Sequence, residues 1–144
     1  MIRAYLDAAP TIYRVEAREP WAGRIEAVIS TVSDLTLVAS ELTRLECLVL
    51  PVRTADTLLQ QRYERLFDRM TLLPVTRAVF ERATDLRATH SLKTPDALHL
   101  ACAIENGCDE FWTNDERLAA AVPADFFVRV FADAVDALAD TADT

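Results

Sequence analysis

The chain has 144 residues, of which 51% are apolar and 26% charged, as expected for one globular domain with a proper core. Its formal net charge of −8 argues against a broad basic surface that binds nucleic acid by charge alone, but leaves open an enzyme whose acids hold a cation. Apolar runs stay shorter than the roughly 18–20 residues that span a bilayer, and no secretory signal is visible, so we expect a cytoplasmic protein without membrane contact.

Three cysteines, Cys47, Cys102 and Cys108, lie in apolar stretches. An odd count without a Cys-x-x-Cys pair is typical of reduced, buried thiols in a cytosolic protein. The two histidines, His90 and His99, do not complete a zinc-binding spacing with them. We therefore expect the thiols to be free.

Five short apolar runs are predicted to form β-strands. They cover residues 2–6, 35–39, 71–75, 110–113 and 126–131. The runs are continuous and do not alternate with polar residues, which is typical of strands covered on both faces, as in parallel sheets. The first run is predicted to be the central strand and the last an edge strand.

Helical segments separate these strands. They are predicted at 8–16, 20–29, 42–49, 54–70, 77–91, 94–106 and 116–122, with Pro51 interrupting the third. Strands that alternate with helices form βαβ units, whose helices cover both faces of a sheet. The predicted fold class is therefore α/β: a three-layer α/β/α single domain with a mostly parallel central sheet at residues 1–131. Residues 132–144, rich in Ala and Asp, are predicted to be an acidic C-terminal tail that forms at most a frayed helix.

The stretch from residue 94 to residue 115 carries two acids at defined positions. Thr94 is predicted to cap a helix and Pro95 to occupy its first position, which places Asp96 near the positive end of the helix dipole. Gly107 provides a left-handed helix stop. Asp115 comes just past the following strand, at the edge where open α/β sheets keep their active sites.

Two further acids occupy related positions, because Asp7 ends the first strand and Glu46 lies in the helix after the second. Alone, an acid at a strand end or helix start is typical of a cap or a turn. Several carboxylates in one cleft repel one another unless a cation lies between them, and Mg²⁺ and Mn²⁺ prefer all-oxygen sites. Asp7, Glu46, Asp96 and Asp115 together therefore predict a metal site that can polarise a phosphodiester.

His99 follows Asp96 by three residues and so shares its helix face. Two interpretations stay open: a histidine that approaches the acids and tunes them, or one whose hydrogen bonds are satisfied on the helix surface or near the core. Trp112, in a short strand, is predicted to be a core residue.

Four motifs carry a resemblance to a known family. They are Asp7 after an apolar strand, Thr43-x-x-Glu46, Thr94-Pro-Asp-Ala-Leu-His-Leu-Ala101 and Thr113-Asn-Asp115. In this order they are similar to the PIN domain, and specifically to the VapC-type toxins of toxin–antitoxin systems. The resemblance covers roughly residues 2–131.

The resemblance implies a Mg²⁺- or Mn²⁺-dependent endoribonuclease that hydrolyses RNA phosphodiesters with metal-activated water. It implies site roles as follows: Asp7, Asp96 and Asp115 as metal-site acids, Glu46 completing the cluster and orienting the water, and Thr113 and Asn114 as hydrogen-bonding supports. It also implies a cognate antitoxin protein as partner and a homodimer.

One departure concerns the residues after the first acid, where such toxins commonly carry Thr, Ser or Asn. Here the run Ala8-Ala9-Pro10 follows Asp7, so one supporting hydroxyl or amide is missing, and Thr11 is not an obvious replacement. An alternative function is therefore a catalytically impaired PIN-fold interaction module, which keeps the fold and has lost turnover.

A third interpretation is a phospho-acceptor signalling domain, which also clusters acids around Mg²⁺ at strand ends. It requires a lysine at the end of a later strand. The only lysine of this chain, Lys93, precedes a helix instead.

Overall fold

The computed structural model describes residues 1–131, and the predicted acidic tail at 132–144 lies outside the described residues. Within these residues, five strands form one sheet: β1 (Ile2–Leu6), β2 (Leu35–Ser40), β3 (Thr71–Leu73), β4 (Glu110–Thr113) and β5 (Phe127–Val130). The strand order is β3-β2-β1-β4-β5, and every neighbouring pair is parallel. The predicted parallel sheet is confirmed, with β1 at its centre and β5 at one edge.

In the described part of the chain, six α-helices and one 3₁₀ helix connect these strands. They are α1 (Ala8–Val15), α2 (Trp21–Thr31), α3 (Glu41–Arg53), α4 (Thr57–Asp68), α5 (Arg77–His90), α6 (Thr94–Glu105) and the 3₁₀ helix Glu116–Ala121. Within residues 1–131, none of the helices has both the length and the apolar character that a bilayer crossing requires.

Alternate side chains of the strands point to opposite faces of the sheet, and each face is covered by its own helices. Tyr5 of β1 and Phe111 of β4 pack into the core under α5 and α6. Their strand neighbours Leu6 and Trp112 pack on the other face with Ile25 of α2. A third cluster places α3 and α4 on that second face, through residues such as Cys47 and Tyr63. The predicted three-layer α/β/α architecture is confirmed, and Trp112 is a core residue, as expected.

The predicted interruption of α3 at Pro51 is wrong. Pro51 lies in the last turn of α3, so its missing N–H removes one hydrogen bond near the end of a helix that continues to Arg53. The break comes later, at Ala55, whose φ of 54° is left-handed. Asp56 then caps α4 by accepting from the amide of Leu59, which moves the predicted start of that helix from residue 54 to Thr57.

The start of α6 is displaced by one residue from its predicted position. Lys93 is the N-terminal cap residue and makes no side-chain capping bond, so Thr94 is already helical and Pro95 follows it in the first turn. Asp96 keeps its predicted place in the first turn.

Candidate metal centre

Asp7 occupies the junction of β1 and α1 at the carboxyl edge of the sheet. It is the N-cap of α1, and its Oδ1 accepts from the amide of Ala8 at 2.8 Å. Because β4 lies beside β1 and runs parallel to it, Thr113 at the end of β4 reaches Asp7, and its hydroxyl donates to Oδ2 at 2.8 Å. Both oxygens of this half-buried carboxylate are therefore oriented by neighbours.

The residues after Asp7 offer no polar side chain to its carboxylate, and Thr11 does not take that role. The buried hydroxyl of Thr11 donates to the main-chain carbonyl of Asp7 at 2.9 Å. The supporting donors are instead the backbone amide of Ala8 and the side chain of Thr113 from the neighbouring strand β4.

Glu46 and His99 come from two helices that meet over the same strand ends. The capping box of α3, formed by Ser40 and Thr43, begins that helix directly after β2, which places Glu46 one turn in at the sheet edge. His99 of α6 is 1% exposed, and its Nε2 is hydrogen-bonded to Glu46 Oε1 and lies 3.5 Å from Asp7 Oδ1. One ligand atom from each of Asp7, Glu46 and His99 lies within 4.8 Å of the others, a spacing that fits a single metal ion.

The second nitrogen of the His99 ring, Nδ1, contacts a buried network of hydroxyl groups. The Tyr5 hydroxyl lies 2.7 Å from His99 Nδ1 and 2.7 Å from Ser40 Oγ. Burial raises the pKa of Tyr5, so its phenol stays protonated. Thr43 stands beside it, with its hydroxyl donating to the Leu6 carbonyl at 3.0 Å.

Asp96 and Asp115 line one cavity of about 200 Å³ at this edge, together with Lys93 and Arg117. Burial raises the pKa of Asp96, and the charges of Asp7 and Asp115 raise it further, so negative charge is concentrated around Asp96. Such concentration of like charge is the situation that a bound cation relieves.

Asp115 is held differently from the other acids. Arg117 binds both of its oxygens, with Nε 2.9 Å from Oδ1 and a terminal nitrogen 2.7 Å from Oδ2. The hydrogen bonds from Arg117 hold the pKa of Asp115 below its ordinary value. Asp115 also caps the 3₁₀ helix through the Arg117 amide, so the capping role weighed from sequence is present.

Burial alone would lower the pKa of His99, but its hydrogen bond with Glu46 and the charge of Asp7 outweigh burial and raise it. The imidazole thus lies in an environment that favours a positive charge. The two interpretations left open by the sequence are both met, because His99 is buried with its hydrogen bonds satisfied and also contacts the acids.

The structure brings some of the predicted site residues together more closely than others. Asp7 and Glu46 share the tight cluster with His99, and Asp96 is close enough to be affected by the charges of both. Thr113 supports Asp7, whereas Asn114 donates its amide to the Tyr13 hydroxyl at 3.2 Å.

The sequence did not identify Tyr5 as a residue of the site, and it left two interpretations of His99 open. The available signal was geometric: His99 lies one turn after Asp96 in an otherwise apolar helix, so both project toward the strand ends. For Tyr5 the signal was its face of the central strand, which could be assigned only after the helices were placed.

The fit to a divalent cation rests on the donor set. The carboxylates of Asp7 and Glu46 lie together, that of Asp96 lies nearby, and that of Asp115 is partly screened by Arg117. Such a set suits Mg²⁺ or Mn²⁺, which bind oxygen ligands and retain several waters.

Comparisons with known proteins agree with this fold. Among solved structures, VapBC2 from Rickettsia felis bound to a promoter DNA fragment matches with a TM-score of 0.72 at 12% identity, covering 90% of this chain and 98% of that one. VapC20 of Mycobacterium tuberculosis, a Sarcin-Ricin loop cleaving toxin, matches with a TM-score of 0.66 at 17% identity, covering 82% and 94%. A toxin–antitoxin complex from Klebsiella pneumoniae matches with a TM-score of 0.63 at 21% identity, covering 86% and 98%.

At these identities the likeness shows a shared fold. No curated protein is significantly similar in sequence to the chain. The sequence model of the PIN domain, however, matches residues 4–122, which span the sheet from β1 to β4 and all four acids. This protein therefore belongs to the PIN domain family.

Proposed function

We propose that this protein is a metal-dependent endoribonuclease and the toxin of a toxin–antitoxin pair. The observation that carries the proposal is the convergence of Asp7, Glu46 and His99 at one point of the carboxyl edge, with Asp96 and Asp115 lining the adjoining cavity. Membership of the PIN domain family and the fold shared with VapC20, a Sarcin-Ricin loop cleaving toxin, support RNA as the substrate.

Asp7, Glu46 and Asp96 are the residues that would hold Mg²⁺ or Mn²⁺, with Asp115 contributing through water because Arg117 binds its oxygens. The bound ion would supply charge neutralisation and polarise the phosphodiester. Glu46 would orient the attacking water and accept its proton.

Two basic residues at the cavity are candidates for phosphate contacts. Lys93 and Arg117 line it beside Asp96 and Asp115. Lys93 offers a mobile ammonium, and Arg117, whose guanidinium also binds Asp115, would contact a phosphate from beside that acid. This arrangement lets an acidic protein bind RNA locally.

The catalytically impaired interaction module was suggested by the missing polar residue after Asp7. Both oxygens of Asp7 nevertheless accept hydrogen bonds, from Ala8 and Thr113. The Asp7 carboxylate is therefore held in place even though the Ala8-Ala9-Pro10 run supplies no polar side chain to it. The nuclease is the better supported function.

The proposed partners are a cognate antitoxin and a second copy of the chain. Solved structures with the same fold include toxin–antitoxin complexes from Klebsiella pneumoniae and nontypeable Haemophilus influenzae. Co-expression with the product of an adjacent small gene is expected to restore growth that the chain alone arrests. Light scattering of the purified chain is expected to give the mass of a dimer.

The nuclease is tested with purified protein and end-labelled RNAs, both single-stranded and structured, in Mg²⁺, Mn²⁺ or EDTA. Cleavage is expected only with metal, and the products should carry no 2′,3′-cyclic phosphate, since water is the nucleophile. Asp7→Asn and Asp96→Asn should abolish cleavage. Asp68→Asn is the matched control, because Asp68 is an exposed acid at the end of α4, near the opposite edge of the sheet. Equal cleavage by all variants, or cleavage in EDTA, would contradict the proposal.

A further inference from the structure

We propose that His99 is a positioning residue of the metal centre: its Nε2–H holds the carboxylate of Glu46 in place beside Asp7 for the cation, and Nε2 is not itself a metal ligand. The inference rests on the proposed function only in requiring a cation at these acids. It assigns a role to the one group in the tight cluster that is not an acid.

The contacts of Nε2 determine where its hydrogen lies. Glu46 Oε1 is hydrogen-bonded to Nε2, and Asp7 Oδ1 lies 3.5 Å away. Ionised carboxylate oxygens accept hydrogen bonds and cannot donate them. A carboxylate that holds a cation is deprotonated, so we assign the hydrogen of this contact to Nε2, and a nitrogen that carries one has no lone pair in the ring plane for a metal.

The contacts of Nδ1 are consistent with the same tautomer. The Tyr5 hydroxyl lies 2.7 Å from Nδ1 and 2.7 Å from Ser40 Oγ. In the neutral ring, Tyr5 donates to Nδ1 and accepts from Ser40; in the charged ring, Nδ1 donates to Tyr5 and Tyr5 donates to Ser40. Both arrangements leave the hydrogen on Nε2, so the positioning role does not depend on the charge of the ring.

The ring also has little freedom to move out of this arrangement. His99 is 1% exposed, Tyr5 is 0% exposed, and their rings meet edge to face with centroids 5.6 Å apart. Tyr5 is in turn stacked on Phe111, with centroids 5.4 Å apart. The donor to Glu46 is thus fixed by the core of the domain.

These contacts leave both Glu46 and Asp7 able to bind a cation. A carboxylate has roughly four lone-pair sites, and His99 occupies one on Glu46. On Asp7, Ala8 and Thr113 take one site each, which leaves further sites for the ion. Removing such a supporting donor typically lowers metal affinity by about 10- to 100-fold.

The test measures Mn²⁺ affinity of the full chain without RNA, from the signal of free Mn²⁺ in electron paramagnetic resonance. His99→Ala is expected to weaken binding by about 10- to 100-fold. His99→Gln, whose amide can restore a donor near the Nε2 position, is expected to recover much of that loss. Tyr5→Phe removes only the hydroxyl that faces Nδ1 and is expected to weaken binding by about three- to tenfold, the size of one neutral hydrogen bond.

Tyr63→Phe is the matched control for Tyr5→Phe. Tyr63 is equally buried, at 0% exposure, and its hydroxyl donates to Glu16 instead of a residue of the cluster. It should bind Mn²⁺ as the unsubstituted chain does. Circular dichroism identifies any variant that fails to fold, and His99→Gln and Tyr5→Phe then carry the test.

Electron spin-echo spectroscopy of bound Mn²⁺ distinguishes a positioning role from ligation. We expect no directly coordinated histidine nitrogen in the unsubstituted chain. A ¹⁴N coupling that disappears in His99→Ala would show that His99 is a ligand and would overturn the proposal. Unchanged Mn²⁺ affinity in His99→Ala and Tyr5→Phe would also overturn it.

The outcomes separate this inference from the nuclease proposal. If Mn²⁺ binds and the variants behave as expected but no RNA is cleaved, the nuclease proposal alone fails. If RNA is cleaved and the His99 variants bind Mn²⁺ normally, the inference alone fails. A chain that binds no Mn²⁺ would contradict both.

Discussion

Thr113 links two of the acids through a single hydroxyl group. Its Oγ1 donates to Asp7 Oδ2 at 2.8 Å and accepts from the amide of Asp115 at 3.2 Å. Because a hydroxyl donates one hydrogen bond and can accept two, both contacts can form together. The end of β4 thereby fixes the orientation of an acid at the end of β1.

Replacing this hydroxyl should impair the site more than the fold. We expect Thr113→Val, which keeps the side-chain shape, to reduce RNA cleavage by about 10- to 100-fold and to destabilise the domain by about 1 kcal/mol. Thr113→Ser retains the hydroxyl and should stay within a few-fold of the unsubstituted rate. Full activity of Thr113→Val in a steady-state cleavage assay would contradict the support assigned to Thr113.

The three cysteines should react slowly in the native protein. All are free and buried, and burial raises the pKa of Cys102 and of Cys108 to about 11. At pH 8 the fraction of such a thiol that is ionised to thiolate is roughly one-thousandth, whereas it is roughly a quarter for an exposed thiol with an ordinary pKa near 8.5. At pH 8, alkylation by iodoacetamide should therefore be about a hundredfold slower in the native protein than in the urea-unfolded protein. The rate in the native protein should increase as the pH rises. Equal rates in the native and urea-unfolded states, followed by mass spectrometry, would contradict the burial.

At the scale of elements, the turn between α6 and β4 depends on one glycine. Gly107 has a φ of 69°, in the left-handed region, although a Cβ placed there would meet no atom within 4 Å. The restriction is thus one of backbone conformation and not of space. The turn matters to the site, because it leads from the helix of Asp96 and His99 to the strand that ends at Thr113.

Gly107→Ala is expected to destabilise the domain by about 1 kcal/mol, since an L side chain disfavours the left-handed region. Gly107→Asn should cost less, because Asn tolerates that conformation. Urea unfolding monitored by circular dichroism measures both. An alanine variant as stable as the unsubstituted chain would show that the turn adopts another conformation.

The elements differ in how well their limits could be predicted. Apolar runs between helical segments were enough to locate all five strands, because a strand covered on both faces leaves a continuous signal. The end of α3 was misplaced because a proline was taken to stop the helix, while the actual break is the left-handed Ala55. A single alanine carries no sequence signal for that conformation; Ala55 is exposed, and the turn is closed by a backbone hydrogen bond from the Asp56 amide to the Pro51 carbonyl at 2.9 Å.

At the scale of the molecule, the sheet order explains why distant acids meet. β1 lies between β2 and β4, so Asp7 at its end has Glu46 on one side and the Thr113–Asp115 segment on the other. A parallel sheet places all its carboxyl ends at one edge, so this part of the site could be predicted from sequence. The depth of His99 and its contact with Tyr5 could not, because they depend on how α6 packs against β1.

Metal binding should stabilise the whole domain. A ligand that binds the folded chain but not the unfolded chain adds about 2.7 kcal/mol to the free energy of unfolding at a concentration of 100 times its Kd. We therefore expect Mn²⁺ to raise Tm and EDTA to reverse the increase, while Asp7→Asn should remove most of it. The control Asp68→Asn should respond as the unsubstituted chain does. A Tm that Mn²⁺ leaves unchanged would contradict a cation site among these acids.

Whether these acids act together to cleave RNA can be tested in cells. The measurement is the sequencing of RNA ends after induced expression of the unsubstituted chain and of Asp96→Ala. We predict new RNA ends at a limited set of positions for the unsubstituted chain and none for Asp96→Ala at equal protein levels. No new ends for the unsubstituted chain, or the same ends with Asp96→Ala, would contradict the account.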